Sequence, residues 1–138
     1  KNFAQKVIAK AHAQNTKVLL NTEMDLAKTL QADGVHLTST QLMAIKVRPA
    51  FSLVAASCHN QIELQQAEIL GCDFVVLGPI QPTQSHPEAK ILGWEGAAKL
   101  IEDYSLPVYA LGGMQESDCE TAWVNGFHGV SIQRALYK

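Results

Sequence analysis

Residues 71–78 read Gly-Cys-Asp-Phe-Val-Val-Leu-Gly, and this stretch decides the fold class. The first glycine suits the end of a helix, and the short apolar run after it suits a strand that is buried on both faces. A glycine at the same kind of junction returns in Ala32–Val35 and in Gly126–Gly129. The repetition predicts an α/β fold in which helices alternate with the strands of a parallel sheet.

Working outward from this stretch, we predict six strands separated by amphipathic segments of helical period. The predicted strands are Lys17–Leu20, Gly34–Leu37, Phe51–Ala56, Asp73–Leu77, Pro107–Leu111 and Gly129–Ile132. The predicted helical segments are Phe3 to about Gln14, Met24–Leu30, Ile62–Leu70, Ala97–Ile101 and Cys119–Val124. A TIM (β/α)8 barrel needs eight strands. If the fold is a barrel, we expect about the first two βα units to be absent upstream of Lys1; a doubly wound sheet is the alternative.

The composition narrows the class of protein. The chain of 138 residues has a formal charge of −2 and no cluster of Lys or Arg, which argues against a nucleic-acid partner and favours a small-molecule ligand. No run of eighteen apolar residues predicts a membrane span. Three cysteines without a CxxC pair indicate neither a disulfide framework nor a zinc site, so we expect a reducing, cytoplasmic location. We see no internal domain boundary and expect residues 1–138 to form a single domain.

In a parallel α/β protein the ligand lies at the carboxyl ends of the strands, so the residues after each strand are the candidates for a site. Gly112-Gly113 follows the fifth predicted strand and lets the backbone approach an anion closely. Gln133 and Arg134 follow the sixth, and the arginine adds a positive charge. Asn21 follows the first. Together these positions predict a phosphate-binding site.

The loop between Gly78 and Gly93 is the longest in the chain, and loops of that length are usually functional or disordered. Its Thr83, Ser85 and His86 offer two hydroxyls and an imidazole, which suit phosphate binding or proton transfer. The alternative is a solvated surface loop.

Three further polar residues lie in or after the second and third strands. Ser57 suits a hydrogen-bond donor to ligand. His59 follows it by two residues, but no acidic partner is marked, so a serine nucleophile is not expected. His36 alternates with apolar neighbours and either points towards the ligand or is a hydrogen-bonded core histidine.

Seven segments, in order and spacing, resemble the thiamine phosphate synthase/TenI superfamily. They are Val18–Asn21, Ala32–Leu37, Ala56–His59, Leu77–Thr83, Leu92–Gly96, Ala110–Met114 and Gly129–Ser131. The resemblance implies a TIM barrel that lacks its first two strands here. It also implies coupling of hydroxymethylpyrimidine diphosphate with thiazole phosphate, in which pyrophosphate leaves and magnesium holds the diphosphate. We take as candidate catalytic residues Ser57 and His86, and as candidate substrate- or phosphate-binding residues Asn21, His36, Thr83, Ser85, Gly112, Gly113, Gln133 and Arg134.

The sequence departs from the family pattern at the metal site. The family's two metal-binding aspartates are replaced at Thr22 and Gln41, which are poor ligands for a hard cation, so we predict no metal-binding residues. The lysine of the family's Pro-Thr-x-Thr-Lys loop is replaced by His86. Binding of a thiazole or thiamine phosphate is therefore better supported by the resemblance than the coupling reaction is.

Two alternatives follow from the same resemblance. One is a TenI-like thiazole tautomerase that transfers a proton through His86 or His59. The other is a non-catalytic module that binds a phosphorylated ligand.

Val35–Met43 and Ala55–His59 resemble the branch that is fused behind a Nudix hydrolase of the 8-oxo-dGTP diphosphatase type. If two strands are absent, the exposed sheet edges also predict association into a homo-oligomer.

Overall fold

The structure is a computed structural model that describes residues 2–84 and 87–133. One sheet of six parallel strands runs through the described part, in the order β1-β2-β3-β4-β5-β6. The strands are β1 Leu19–Asn21, β2 Gly34–Leu37, β3 Leu53–Cys58, β4 Phe74–Leu77, β5 Val108–Leu111 and β6 Gly129–Ser131. The helices are α1 Asn2–His12, α2 Met24–Leu30, α3 Ser39–Ala44, α4 Gln61–Leu70, α5 Gly93–Ile101 and α6 Cys119–Val124, with a short 3₁₀ helix at Glu116–Asp118.

The predicted α/β class and parallel sheet are confirmed. The strand order follows the sequence without reversal, whereas a doubly wound sheet reverses its order at the ligand crevice. The doubly wound alternative is therefore wrong for the described sheet, in which β1 and β6 are the two edges. None of the helices in residues 2–84 and 87–133 is long and apolar enough to cross a membrane.

Two strands lie further along the chain than predicted. β1 and β3 each begin two residues later, and both take in polar residues that we had assigned to loops: Asn21 in β1, and Ser57 in β3. At the start of β1 the Val18 N–H donates to the Asp33 carboxylate, and before β3 the Phe51 N–H donates to the Pro49 carbonyl in a turn. The hydrophobicity of Val18 and Phe51 predicted that they belong to strands. Their backbone N–H groups, however, do not bond to a neighbouring strand of the sheet.

Helix α3 was not predicted. It has only six residues and begins after Thr38, whose hydroxyl accepts the Gln41 backbone N–H at 3.2 Å. The Gln41 side chain accepts the Thr38 backbone N–H in return, which completes a capping box. The Thr-x-x-Gln spacing was the available signal. The short helix turns residues that we had assigned to a loop into a fixed first turn beside the cavity described below.

The core lies between the sheet and the helices and is apolar. Both faces of the central strands are buried, as the consecutive residues Val54 and Ala55 in β3 and Val75 and Val76 in β4 illustrate. No buried side-chain nitrogen or oxygen in the described residues lacks a hydrogen-bond partner. Polar side chains are thus placed at the ends of the strands, where they can meet a ligand.

At the amino ends of the strands an aspartate recurs in one structural role. Asp33 Oδ2 accepts the Val18 backbone N–H at 2.8 Å, and Asp73 Oδ2 accepts the Val54 backbone N–H at 2.7 Å. Each aspartate precedes a strand and holds the start of the strand before it. The Val18 N–H, followed by the His12 side chain, lowers the pKa of Asp33 well below its usual range. The repeated junction seen in the sequence therefore fixes the strand register.

Candidate functional site

A cavity of about 1050 Å³ opens at the carboxyl ends of the strands. Its wall comes from the segments that follow β2 to β6. The wall residues are Thr38 and Ser39, Ser57 and His59, Gly78, Pro79, Pro82, Thr83, Gln84, Pro87, Glu88 and Ala89, Leu111, Gly112, Gly113, Met114 and Gln115, and Ser131 and Gln133. The cavity thus lies at the edge where ligands of parallel α/β proteins bind.

The structure brings five of the candidate residues together in this wall: Ser57, Thr83, Gly112, Gly113 and Gln133. Two others do not line it. Asn21 is exposed at the end of β1, away from the wall. His36 lies behind Ser57, as described below. Three candidates, Ser85, His86 and Arg134, lie outside the described residues. The ligand contacts of all of them stay predictions.

The long loop and the loop after β5 are tied together by their backbones. The Ile80 N–H donates to the Leu111 carbonyl at 2.8 Å, and the Gln81 N–H donates to the Gly112 carbonyl at 3.2 Å. The Ile80 side chain is 1% exposed. At the far end of the loop the Gly93 N–H donates to the Ile80 carbonyl at 3.1 Å. The start of this loop is therefore a packed wall of the cavity, and the solvated-loop alternative is wrong for that part.

Glycine is required at two consecutive positions of the loop after β5. Gly112 has φ 99°, and a Cβ there would lie 2.7 Å from the Pro79 Cα. Gly113 has φ 70°, and a Cβ there would lie 2.9 Å from the Gln81 Cβ. Any side chain would push the two loops apart. The packing of the neighbouring loop thus requires glycine at both positions.

Ser57 is held by a histidine from the neighbouring strand. His36 Nε2 lies 2.8 Å from Ser57 Oγ. Burial lowers the pKa of His36, which favours the neutral imidazole. Of the two roles weighed for His36, the structure places it as a hydrogen-bonded, partly buried histidine. It bears on the cavity through the serine hydroxyl.

His59 has an acidic partner that the sequence analysis missed. Its Nδ1 lies 2.9 Å from Glu63 Oε2, and its backbone N–H donates to the same oxygen at 2.7 Å. The expectation that no acid accompanies this histidine is therefore wrong. The signal was present as an i, i+4 pair, but the pairing depends on the start of α4 at Gln61, which brings Glu63 back to His59.

Cys58 stands between Ser57 and His59 in the sequence, but its thiol is not reactive. It is 1% exposed, and burial, with a smaller effect of the Glu63 charge, raises the pKa of its thiol to about 12. The thiol is protonated near neutral pH, so nucleophilic catalysis by Cys58 is excluded.

The donor set does not fit a magnesium ion. Gln41 Nε2 donates to the Thr22 carbonyl at 3.1 Å, while Gln41 Oε1 accepts from the Thr38 N–H. The two positions that replace the family's aspartates are thus joined directly by a hydrogen bond, and both ends of the Gln41 amide are in use. Residues 2–84 and 87–133 contain no cluster of three His, Cys, Asp or Glu residues that could hold a metal ion. Hard cations need carboxylate or free carbonyl oxygens, and neither Thr22 nor Gln41 offers one.

Comparison with known proteins adds to the geometry. Residues 1–136 match the protein family described as Thiamine monophosphate synthase. The chain is 34% identical over 132 residues to an Aquifex aeolicus protein provisionally named thiamine-phosphate synthase 2. The matched residues make up 94% of this chain and 70% of that protein. It is 30% identical over 125 residues to the thiamine-phosphate synthase of Prochlorococcus marinus, which covers 88% of this chain and 36% of the relative.

A solved structure described as thiamine phosphate pyrophosphorylase from Pyrococcus furiosus is similar with a TM-score of 0.79. The identity is 23%, so this likeness shows the shared fold alone. The alignment covers 97% of this chain and 65% of that structure. The chain therefore spans between about a third and 70% of the length of the proteins it matches.

Proposed function

Because this chain belongs to the thiamine monophosphate synthase family, we propose that its cavity binds thiazole phosphate or thiamine phosphate in a thiamine-phosphate-synthase-like role. The proposed reaction in this cavity is the coupling of hydroxymethylpyrimidine diphosphate with thiazole phosphate, with loss of pyrophosphate. Several relatives are named thiamine-phosphate synthase, which supports this reaction class.

The observation that carries the proposal is the position of Gly112 and Gly113 in the cavity wall, directly after β5. Glycine lets a phosphate group approach the main chain closely. Ser57 and Thr83 line the same cavity, and hydroxyl groups suit hydrogen bonds to phosphate oxygens.

Magnesium has no part in this proposal. The Gln41–Thr22 hydrogen bond occupies the corner at which the family's aspartates hold the metal. We therefore propose that phosphate binding here is independent of divalent cations. The same hydrogen bond favours a second candidate function, a non-catalytic module that binds the phosphorylated ligand without converting it.

The proposal also includes the barrel architecture, the cellular location, the partner and the branch of the family. We infer that the described sheet is part of a TIM barrel, supported by the sequential strand order. The cytoplasmic location, a small phosphorylated molecule as the partner, and membership of the branch fused to a Nudix hydrolase also rest on the sequence pattern. Contacts from Ser85, His86 and Arg134 would complete the site.

Calorimetric titration of the protein with thiazole phosphate and with thiamine phosphate, each with magnesium and with EDTA, tests the proposal. We expect binding of at least one ligand with the same affinity in both buffers. The double variant Thr22→Asp, Gln41→Asp is the control, titrated with hydroxymethylpyrimidine diphosphate, since restored carboxylates should make the affinity for a diphosphate depend on magnesium. If neither ligand binds, the thiamine assignment is wrong.

Product analysis separates the two candidate functions. The protein is mixed with hydroxymethylpyrimidine diphosphate and thiazole phosphate, and thiamine phosphate and pyrophosphate are measured. Formation of both in equal amounts supports the synthase role. Binding without either product supports the non-catalytic module.

A further inference from the structure

We propose that helix α4 is the centre of a homodimer interface, in which two copies of this chain pack their α4 helices antiparallel about a twofold axis. The inference goes beyond the proposed function, because no residue of α4 is among the described residues of the cavity wall.

Helix α4 exposes two large apolar side chains on one face. Ile62 is 66% exposed and Ile69 is 79% exposed. They are seven residues apart, which places them two turns apart on the same side of the helix. The buried residues Leu64, Ala67 and Leu70 lie on the other side, against the core. The fold of a single chain therefore does not account for the two isoleucines.

The end of α3 and the turn after it widen this apolar face. Gln66, between the two isoleucines on α4, donates to the Leu42 and Ile45 carbonyls, both at 3.4 Å. Beside these contacts Met43 is 40% exposed and Val47 is 80% exposed. We define the α3–α4 patch as Met43, Val47, Ile62 and Ile69. Its exposed apolar surface is on the order of 500 Å², which is in the upper part of the range that monomers leave uncovered.

The two acids of α4 lie away from the patch. Glu63 Oε2 lies 2.9 Å from His59 Nδ1, and Glu68 accepts the Ser105 backbone N–H at 3.2 Å. Both carboxylates are thus bound within their own chain, each about 100° around the helix from the nearest patch isoleucine. A neutral apolar face suits an equally neutral surface, whereas a nucleic acid or an anionic membrane would need cations on it.

The order of residues along the outer face of α4 is the same in both directions. From Ile62 to Ile69 the outward positions 62, 65, 66 and 69 read Ile-Gln-Gln-Ile. A twofold axis between Gln65 and Gln66 therefore brings Ile62 of each copy onto Ile69 of the other. This is the self-complementarity that an isologous dimer requires, and it identifies a second copy of this chain as the partner.

The charge beside the patch favours the antiparallel direction. Lys46 adjoins Val47, and Arg48 donates to the Gly71 carbonyl at 2.8 Å, so this part of the chain lies at the carboxyl end of α4. In an antiparallel pair the two carboxyl ends are far apart, and the two copies of the lysine do not repel each other. A parallel pair would bring them side by side.

The size of the patch sets the expected strength of the dimer. Stable complexes bury about 800 Å² on each partner, and the α3–α4 patch offers less apolar surface than that. We therefore expect a weak dimer, with a Kd on the order of 1–100 μM. Such a dimer is visible only when the protein concentration is varied across this range.

Sedimentation velocity of the protein at concentrations from about 1 μM to about 500 μM tests the inference. We expect a shift from the mass of one chain to the mass of two. Ile69→Glu and Ile62→Lys each place a charge against an isoleucine of the other copy, and each should raise the Kd by at least about tenfold. Both positions are exposed, so both variants should keep the urea midpoint of the unaltered protein.

A mixture of the two variants tests the register. In a mixed dimer the lysine of Ile62→Lys faces the glutamate of Ile69→Glu, and two isoleucines meet at the other end. The mixture should therefore dimerise at least about tenfold more tightly than either variant alone. The double variant Ile62→Lys, Ile69→Glu should also dimerise more tightly than either single variant, because it pairs opposite charges at both ends.

The matched control is Val124→Glu, which adds the same charge at another exposed apolar position, 82% exposed in α6 and outside the patch. We expect its Kd to equal that of the unaltered protein.

Four outcomes would overturn the inference. The first is a protein that stays monomeric throughout the series. The second is a dimer that survives in Ile69→Glu or in Ile62→Lys, since another surface, such as a sheet edge, then holds it. The third is loss of the dimer in both variants without recovery in the mixture, and the fourth is loss in Val124→Glu. Recovery in the mixture, with the control unchanged, establishes the interface.

Discussion

His36 Nε2 and Ser57 Oγ lie 2.8 Å apart, and this hydrogen bond joins two neighbouring strands directly beneath the cavity wall. Because the histidine is partly buried and carries a lowered pKa, the serine hydroxyl is paired with a neutral ring. The bond fixes the direction of the hydroxyl. Ser57→Ala should therefore weaken binding of thiazole phosphate by about threefold to tenfold, the effect of one net hydrogen bond. Titration of both proteins measures the ratio, and an unchanged affinity would remove Ser57 from the ligand contacts.

The lowered pKa of His36 also predicts how stability depends on pH. In the unfolded chain a histidine takes up a proton near pH 6.5, whereas His36 in the folded protein takes it up only at lower pH. The unfolded state thus binds more protons just below pH 6.5, and the free energy of unfolding should fall as the pH falls from 6.5 towards the folded pKa. Urea unfolding across this range should show a smaller decline in His36→Gln. An equal decline in both proteins would contradict the assignment.

A methyl group at Gly112 should disrupt the site. Gly112→Ala places a Cβ 2.7 Å from the Pro79 Cα at a positive φ, so the two loops must separate. We expect affinity for thiazole phosphate to drop by more than about tenfold. Gly96→Ala is the matched control, since it lies within α5 with open space around its Cα. That change should raise the free energy of unfolding by about 0.5–1 kcal/mol and leave binding intact.

The aspartate at the start of β2 should matter more than the cation beside it. Asp33 accepts hydrogen bonds from the Val18 N–H, from His12 and from Lys17. Asp33→Ala leaves the Val18 N–H without this acceptor and should lower the free energy of unfolding by about 2 kcal/mol. Lys17 is 70% exposed, so Lys17→Ala should cost less than about 1 kcal/mol. Urea unfolding compares the two, and equal losses would show that the ion pair dominates.

The capping role of Gln41 gives a further test. Gln41→Ala removes the side-chain half of the α3 capping box and the link to the Thr22 carbonyl, and should lower the free energy of unfolding by about 1 kcal/mol. Gln41→Glu still accepts the Thr38 N–H but cannot donate to Thr22. It should therefore show a smaller loss in the same urea experiment. If the two variants are equally unstable, the link to Thr22 contributes more than the cap.

The features that could be predicted from the sequence are those that depend on a pattern of neighbouring residues. The apolar run in β4, the glycine junctions and the Gly112-Gly113 pair all express backbone requirements within a few residues, and the structure confirms the strand and the need for glycine. Ser57 lines the cavity, as its place at the end of an apolar run suggested, and its contact with a ligand stays a prediction. Its inclusion in the strand was missed because a serine there reads as a loop.

What could not be predicted depends on register and packing between elements. His36 and Ser57 are 21 residues apart, and their bond follows only from the parallel register that sets His36 beside Ala55. The Gln41–Thr22 link likewise requires the end of one strand to meet the start of a distant helix. Glu63 was within reach of pattern reasoning, but its direction depends on where α4 begins.

The backbone bonds between the loop after β4 and the loop after β5 also constrain redesign. Ile80 and Gln81 pair with Leu111 and Gly112, so neither loop has a conformation of its own. If only one of these loops is replaced by that of a relative, the new loop no longer matches the backbone hydrogen bonds of the loop that remains. Ligand preference in this scaffold should therefore be transplanted as a two-loop cassette.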